Sequence, residues 1–166
     1  MKKLLVALVF FFIISCGKSN SEQTPDTPKE ITQYSIEQFY KNKRISGGSF
    51  SNDEEKLIVS SDETGIFNVF EINISNGEKT QRTFSDKESF FGIDQVPNSQ
   101  NLIYSADKGG DENSHIYLLD SEGNSTDLTP GDEVKTGFSG WSEDKKHMLY
   151  MSNAKWCFTL EFIDYS

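Results

Sequence analysis

Cysteine is nearly missing from this 166-residue chain. It has two, Cys16 and Cys157, too few for a disulfide framework or a cysteine zinc site. Positive charge is also short: 16 lysines and arginines stand against 26 acids, for a formal net charge of −10. That balance argues against nucleic acid or an anionic membrane surface as the main partner. Long apolar runs are absent as well. The longest, residues 4–14, has eleven residues, where a membrane-spanning helix needs about 20. Helical periodicity is confined to residues 34–42, where Ser35 and Gln38 fit a capping box and Ile36, Phe39 and Tyr40 share a face. That short helix is expected to pack across the start of the sheet structure that follows.

What is present begins with a leader. Lys2 and Lys3 precede the apolar run, which then meets Ile13-Ile14-Ser15-Cys16-Gly17. A positive start and an apolar core of this length suit a secretory signal. Small or apolar residues directly before a cysteine resemble the bacterial lipobox. Residues 1–15 are therefore expected to be a lipoprotein signal peptide, cut before Cys16, whose thiol is the lipidation site. The alternative is an ordinary signal peptide with a chance cysteine, although no A-x-A-like cleavage site precedes Cys16. Loss of Lys2 and Lys3 takes the mature chain to about −12 and lipidation leaves Cys157 as the remaining thiol. One acyl chain anchors only marginally; lipoproteins of the kind resembled carry several. Residues 16–33 are polar, hold Pro25 and Pro28, and are expected to form a disordered tether.

From residue 34 onward the chain repeats itself. Residues 50–83 read as a polar turn, a strand, a loop, a longer strand, a turn and a short closing strand. Residues 96–129 repeat those landmarks in order: Asp62 and Asp107 are 45 residues apart, Gly77 and Gly123, and Thr83 and Thr129, each 46. A third unit starts at Trp141, with Asn153 in the place of Asp107, again 46 residues on. A period of about 40–50 residues with four short strands marks β-propeller blades. The expected fold is all-β: an incomplete β-propeller of about two and a half four-stranded blades (about 45–84, 90–130 and 136–166, the last incomplete), preceded by the short helix and the tether.

The expected strands are 45–50, 56–61, 66–74 and 79–83 in the first unit. In the second they are 90–96, 101–106, 115–120 and 125–128, and in the third 136–141 and 146–152. Leu57, Ile58 and Val59 read as a strand buried on both faces. Ile66, Asn68, Phe70, Ile72 and Ile74 alternate with Phe67, Val69, Glu71 and Asn73, and Asn76-Gly77 is the strongest hairpin signal. After Asn153 the pattern stops, although residues 158–163 could form one more strand. Two and a half blades cannot close a ring of about 4–8. The expectation is a truncated piece of a larger protein, with a small open sheet, complete as it stands, as the alternative.

No catalytic, cofactor-binding or metal-binding residue is assigned. Gly137-Phe138-Ser139-Gly140-Trp141 approaches the G-x-S-x-G nucleophile elbow, but Trp141 replaces the second glycine and a strand and turn follow where the elbow needs a helix. Residues 107–113, DKGGDEN, gather acids and glycines without the spacing of an EF-hand loop; a solvated loop is the plainer reading. Glu54-Glu55 is a charged turn. His115 and His147 have no ligand or nucleophile partner nearby in sequence, and Cys157 reads as packed rather than reactive. Asn73-Ile74-Ser75 and Asn124-Ser125-Thr126 match the glycosylation pattern, which a bacterial lipoprotein would not normally use.

FSNDEEKLIVSS, HIYLLDSEGNSTDLT and WSEDKKHMLYMSN resemble the propeller repeats of TolB-like proteins. The order YSIEQFYKNKRISGGSFSNDEEKLIVSSDETGIFNVFEI, then YSADKGGDENSHIYLLD, then DLTPGDEVKTGFSGWSEDKK and MSN is closer to the N-terminal propeller of the prolyl oligopeptidase family. The branch resembled is that of dipeptidyl-aminopeptidases and acylaminoacyl-peptidases. This resemblance covers roughly residues 34–153. It implies a propeller that gates or binds peptides for a C-terminal serine hydrolase domain, with peptide substrate and that hydrolase as partners. No triad residue and no amino-terminus-binding glutamate pair can be placed on this sequence. The chain is thus expected to be catalytically silent alone, lipid-anchored in the bacterial cell envelope, without cofactor or nucleic acid. A TolB-like envelope interaction module without peptidase activity is the alternative.

Overall fold

A computed structural model of the protein describes residues 31–154 and the backbone of 159–164. The leader, most of the tether, Cys16 and Cys157 lie outside the described residues. The chain divides into two units, Met1–Phe39 and Tyr40–Ser166. The expected helix forms as α1 (Ile36–Tyr40), shorter than anticipated. Its capping box is in place: Ser35 N–H donates to Gln38 Oε1 at 2.7 Å, and Gln38 N–H to Ser35 Oγ at 3.4 Å. None of its residues is buried.

The second unit is built of three antiparallel sheets, each a meander in chain order. Sheet 1 holds β1 (Ile45–Phe50), β2 (Lys56–Ser61), β3 (Asn68–Asn73) and β4 (Lys79–Gln81). Sheet 2 holds β5 (Phe91–Gln95), β6 (Leu102–Ala106), β7 (His115–Leu119) and β8 (Ser125–Asp127). Sheet 3 holds β9 (Thr136–Trp141), β10 (His147–Ser152) and β11 (Thr159–Asp164). Among the described residues there are three such sheets and no closed ring. The third unit carries a full third strand, since β11 pairs along the whole of β10 from His147↔Asp164 to Ser152↔Thr159. The second long strand of sheet 1 is shorter than its apolar pattern. Asn73 Oδ1 accepts the N–H groups of Ser75 and Asn76, a local turn that ends β3.

The repeated landmarks have repeated structural tasks. Thr83 Oγ accepts Val69 N–H at 2.8 Å, and Thr129 Oγ accepts Ile116 N–H at 2.9 Å. Each threonine thus satisfies a buried donor where a short outer strand has left the sheet. Asp62 and Asn153 each accept the N–H just before an inner strand, Arg44 at 2.7 Å and Lys135 at 2.6 Å. Asp107 departs from the series and accepts Glu112 N–H at 3.3 Å within its own loop. Gly77 and Gly123, at φ 73° and 92°, turn the outer hairpins where a side chain would be strained.

The core lies between the sheets. Ile58 and Val69 of sheet 1 pack with Leu102, Tyr104, Ala106 and Leu119 of sheet 2. The alternate residues of sheet 2, Ile103 and Ile116, pack with Met148 and Tyr150 of sheet 3, flanked by Phe138 and Trp141. Period-two alternation therefore gives the middle sheet two apolar faces. The inner strands are also tied across sheets. Asp94 accepts Ser49 Oγ–H on one side and Trp141 Nε1–H, at 2.8 Å, on the other. Phe90 N–H donates to Phe67 C=O and Thr136 N–H to Ser114 C=O, both at 2.8 Å.

Candidate binding site

A cavity of about 650 Å³ opens at the end of sheet 2 where the β6–β7 and β8–β9 loops meet. Lys108, Asp111 and Asn113 come from the first loop, and Gly131, Asp132 and Glu133 from the second. His115 and Tyr117 of β7 and Asp127 of β8 line the sheet side. The β7–β8 ladder puts Tyr117 opposite Asp127. His115, two residues earlier on the same face, then lies diagonal to Asp127, and its Nδ1 is 2.7 Å from Asp127 Oδ2.

An aromatic stack leads to this cavity. Phe90 and Tyr104 lie 4.9 Å apart, Tyr104 and Tyr117 5.2 Å, and Tyr117 and His115 6.3 Å, between ring centres. Burial pushes the Tyr117 hydroxyl above its ordinary range, with the Asp127 charge adding to the effect. Tyr104 is raised by burial too, opposed by its hydrogen bond with Ser125. Asp111 is held below the usual carboxylate range, chiefly because Asn113 N–H donates to it at 2.9 Å. The cavity thus combines an aromatic wall with four carboxylates, Asp111, Asp127, Asp132 and Glu133, against Lys108 and His115. Such a surface suits a cationic group, through charge pairing and through ring faces.

The residues singled out from sequence separate here. The DKGGDEN loop supplies one wall, but two of its three acids are engaged with its own backbone: Asp111 with Asn113 and Asp107 with Glu112. Among the described residues, no group of three or more His, Cys, Asp or Glu is arranged to hold a metal ion. The two histidines have partners after all, His115 in Asp127 and His147 in Asp144 at 3.7 Å. His115–Asp127 is the pairing that sequence reasoning missed. The hairpin at Gly123 fixes Leu119 opposite Ser125, so counting away from it places Tyr117 opposite Asp127 and His115 on the diagonal, within reach. The Gly137–Trp141 segment lies in β9, an extended strand with a bulge, whose Phe138 and Trp141 pack against the core. Glu54, at φ 59°, turns the β1–β2 connection.

No protein-family model matches the chain, and no curated protein matches it by sequence. Solved structures do match, and what they share with it is the propeller-blade fold. TolB from Acinetobacter baumannii aligns with a TM-score of 0.58 at 17% identity, over 75% of this chain and 30% of that one. A puromycin-hydrolyzing peptidase from Mycobacterium tuberculosis aligns with a TM-score of 0.55 at 16% identity, over 75% and 19%. A puromycin hydrolase aligns with a TM-score of 0.53 at 18% identity, over 74% and 19%. The chain therefore spans less than a third of the length of each. Both kinds of protein named by the sequence resemblance are met here, at the level of fold.

Proposed function

We propose that this chain is a non-catalytic propeller module that binds peptides, and that in an intact, longer protein it gates them toward a serine hydrolase domain. The cavity at His115, Tyr117 and Asp127 carries this reading. It offers carboxylates and an aromatic wall to a peptide's cationic amino end, and none of its nine lining residues is Ser, Thr or Cys. The serine nucleophile of a triad would have to come from elsewhere. The matched peptidases support the reading, since the likeness lies in their propeller region. In the same reading Cys16 carries lipid and holds the module at the bacterial cell envelope, with peptide, hydrolase domain and membrane as its partners.

Calorimetric titration with a short peptide, free or acetylated at its amino terminus, tests the proposal. The free peptide is expected to bind and the acetylated one to bind more weakly. The double variant Asp132→Asn, Glu133→Gln is expected to narrow that difference. Aminoacyl and dipeptidyl chromogenic substrates are expected to stay intact. Turnover by the chain alone would refute the non-catalytic part, and equal binding of both peptides the assignment of the cavity. The TolB match favours a second reading, an envelope interaction module without any peptidase; binding of neither peptide would turn the argument that way.

A further inference from the structure

The cavity at the end of sheet 2 contains one ring whose two nitrogens are held differently. Both oxygens of Asp127 are engaged inside the molecule: Oδ1 accepts Thr129 N–H at 2.9 Å, and Oδ2 lies 2.7 Å from His115 Nδ1. An ionised carboxylate only accepts, so Nδ1 is the nitrogen that carries hydrogen in the neutral ring. Tyr117 stacks on the same ring, with 6.3 Å between centres and 26° between planes. The imidazole is therefore fixed by a hydrogen bond at one edge and by a ring on one face. Among the described residues, none bonds to its Nε2. The ring lines the cavity and its side chain is 16% exposed, so Nε2 is the polar atom it has left to offer there.

A neutral ring held in this way keeps a lone pair at Nε2, which accepts an N–H. A protonated ring donates from both nitrogens and carries a positive charge. The first state suits an ammonium group and the second repels it. Imidazole is the side chain that ordinarily passes between these states from about pH 8 to about pH 5. The charged and titratable groups around His115 are Asp127 on β8, Tyr117 on β7, Lys108 and Asp111 from the β6–β7 loop, and Asp132 and Glu133 from the β8–β9 loop. Asp111 is held below its ordinary range, first by Asn113 N–H, and burial pushes Tyr117 above its own. Neither therefore changes charge in that interval.

We infer that His115 is the residue of this cavity that recognises a ligand's ammonium group, accepting its N–H at Nε2, and that protonation of the ring releases the ligand. Asp127 is a positioning residue: it sets which ring nitrogen is bare and acts through the ring. The inference rests on the peptide reading of the cavity and adds to it a contact atom and a release by acid. On acidification a proton from solvent takes the Nε2 lone pair. The ligand's N–H loses its acceptor, and two cations then face each other in one cavity. The carboxylates of Asp132 and Glu133 still attract the ligand, so release is graded rather than complete.

Calorimetric titration of the full chain with the free-amino peptide, at about pH 7 and about pH 5.5, tests the inference. Both values lie above the ordinary carboxylate range of about 3.9–4.3 and below about 7.7, where a peptide amino group loses its charge. Binding is expected to be about fivefold or more weaker at the lower pH, the low end of coupling between sites. His115→Gln puts an acceptor that does not titrate in the ring's place, and is expected to bind equally at both. Nitrogen-15 NMR of the two histidines, told apart by the signals that His147→Gln loses, is expected to show a bare Nε2 in the neutral ring of His115. Saturating peptide is expected to weaken proton uptake by that ring by the same factor as the affinity change, since the coupling is reciprocal. Equal or stronger binding at the lower pH, a hydrogen on Nε2 in the neutral ring, or wild-type pH dependence in His115→Gln would overturn the inference and leave the peptide reading standing. Absence of binding at both pH values would overturn the two together.

Discussion

Thr83 and Thr129 hold the same post in adjacent sheets, each giving its hydroxyl oxygen to a buried N–H of the strand beside it. Thr129→Val keeps the shape and removes the acceptor. An unsatisfied buried donor costs about 1–3 kcal/mol, so urea unfolding is expected to show a loss of that size, largely restored in Thr129→Ser. Carboxylates act at the same scale. Asp62 is held below its ordinary value of 3.8, first by the Arg44 side chain and then by the Arg44 backbone N–H. Asp53 and Asp144 are lowered chiefly by Ser51 and Ser142, and Asp120 chiefly by Asn124. Each binds its proton less readily folded than unfolded. The stability each adds is therefore present above 3.8 and is lost as pH falls through the lowered folded values. The urea midpoint is expected to fall as the pH drops below 3.8; a midpoint unchanged on acidification would contradict these pairings.

At the scale of the element, one tight point between sheets is where β5 crosses sheet 1. A Cβ at Gly92 would meet Ile58 and Val69 at 3.1 Å, whereas one at Gly137, on β9, would meet nothing within 4 Å. Overpacking typically costs about 1–3 kcal/mol. Gly92→Ala is expected to lower the unfolding free energy by that order, while Gly137→Ala leaves it nearly unchanged, both measured by urea denaturation. Strand identity was legible before any coordinates, because alternating and doubly apolar runs have few other solutions. Strand ends were less so. β3 stops at Asn73 because a side-chain amide captures the next N–H groups, a local competition that the apolar pattern running on to Ile74 hides. Sheet 1 also buries Glu71 between Arg82 at 2.7 Å and Lys56 at 3.5 Å. The matching position in sheet 2 is Leu118, a swap of polar for apolar packing that repeat spacing alone does not announce.

For the whole molecule, stability should run through nearest neighbours, as in other repeat architectures. Sheet 2 is the one sheet among the described residues with a packed neighbour sheet on each face. Amide hydrogen exchange is expected to be slowest in β6 and β7 and faster in the short outer strands β4 and β8; uniform protection would contradict nearest-neighbour coupling. The repeat, its period and the blade-like meander were readable from landmarks 45 and 46 residues apart. The candidate cavity was not, although the DKGGDEN loop that forms one wall stands out by composition.

The chain by itself determined the strands, their order within each sheet and the turns between them, because side-chain alternation, glycine and short polar side chains act over a few residues. Only the tertiary structure decided that His115 meets Asp127, that Asp94 joins Ser49 to Trp141, and which of two apolar faces each sheet turns to its neighbour. Those contacts depend on hairpin register and on how twisted sheets stack, and both are set by packing between segments far apart along the chain.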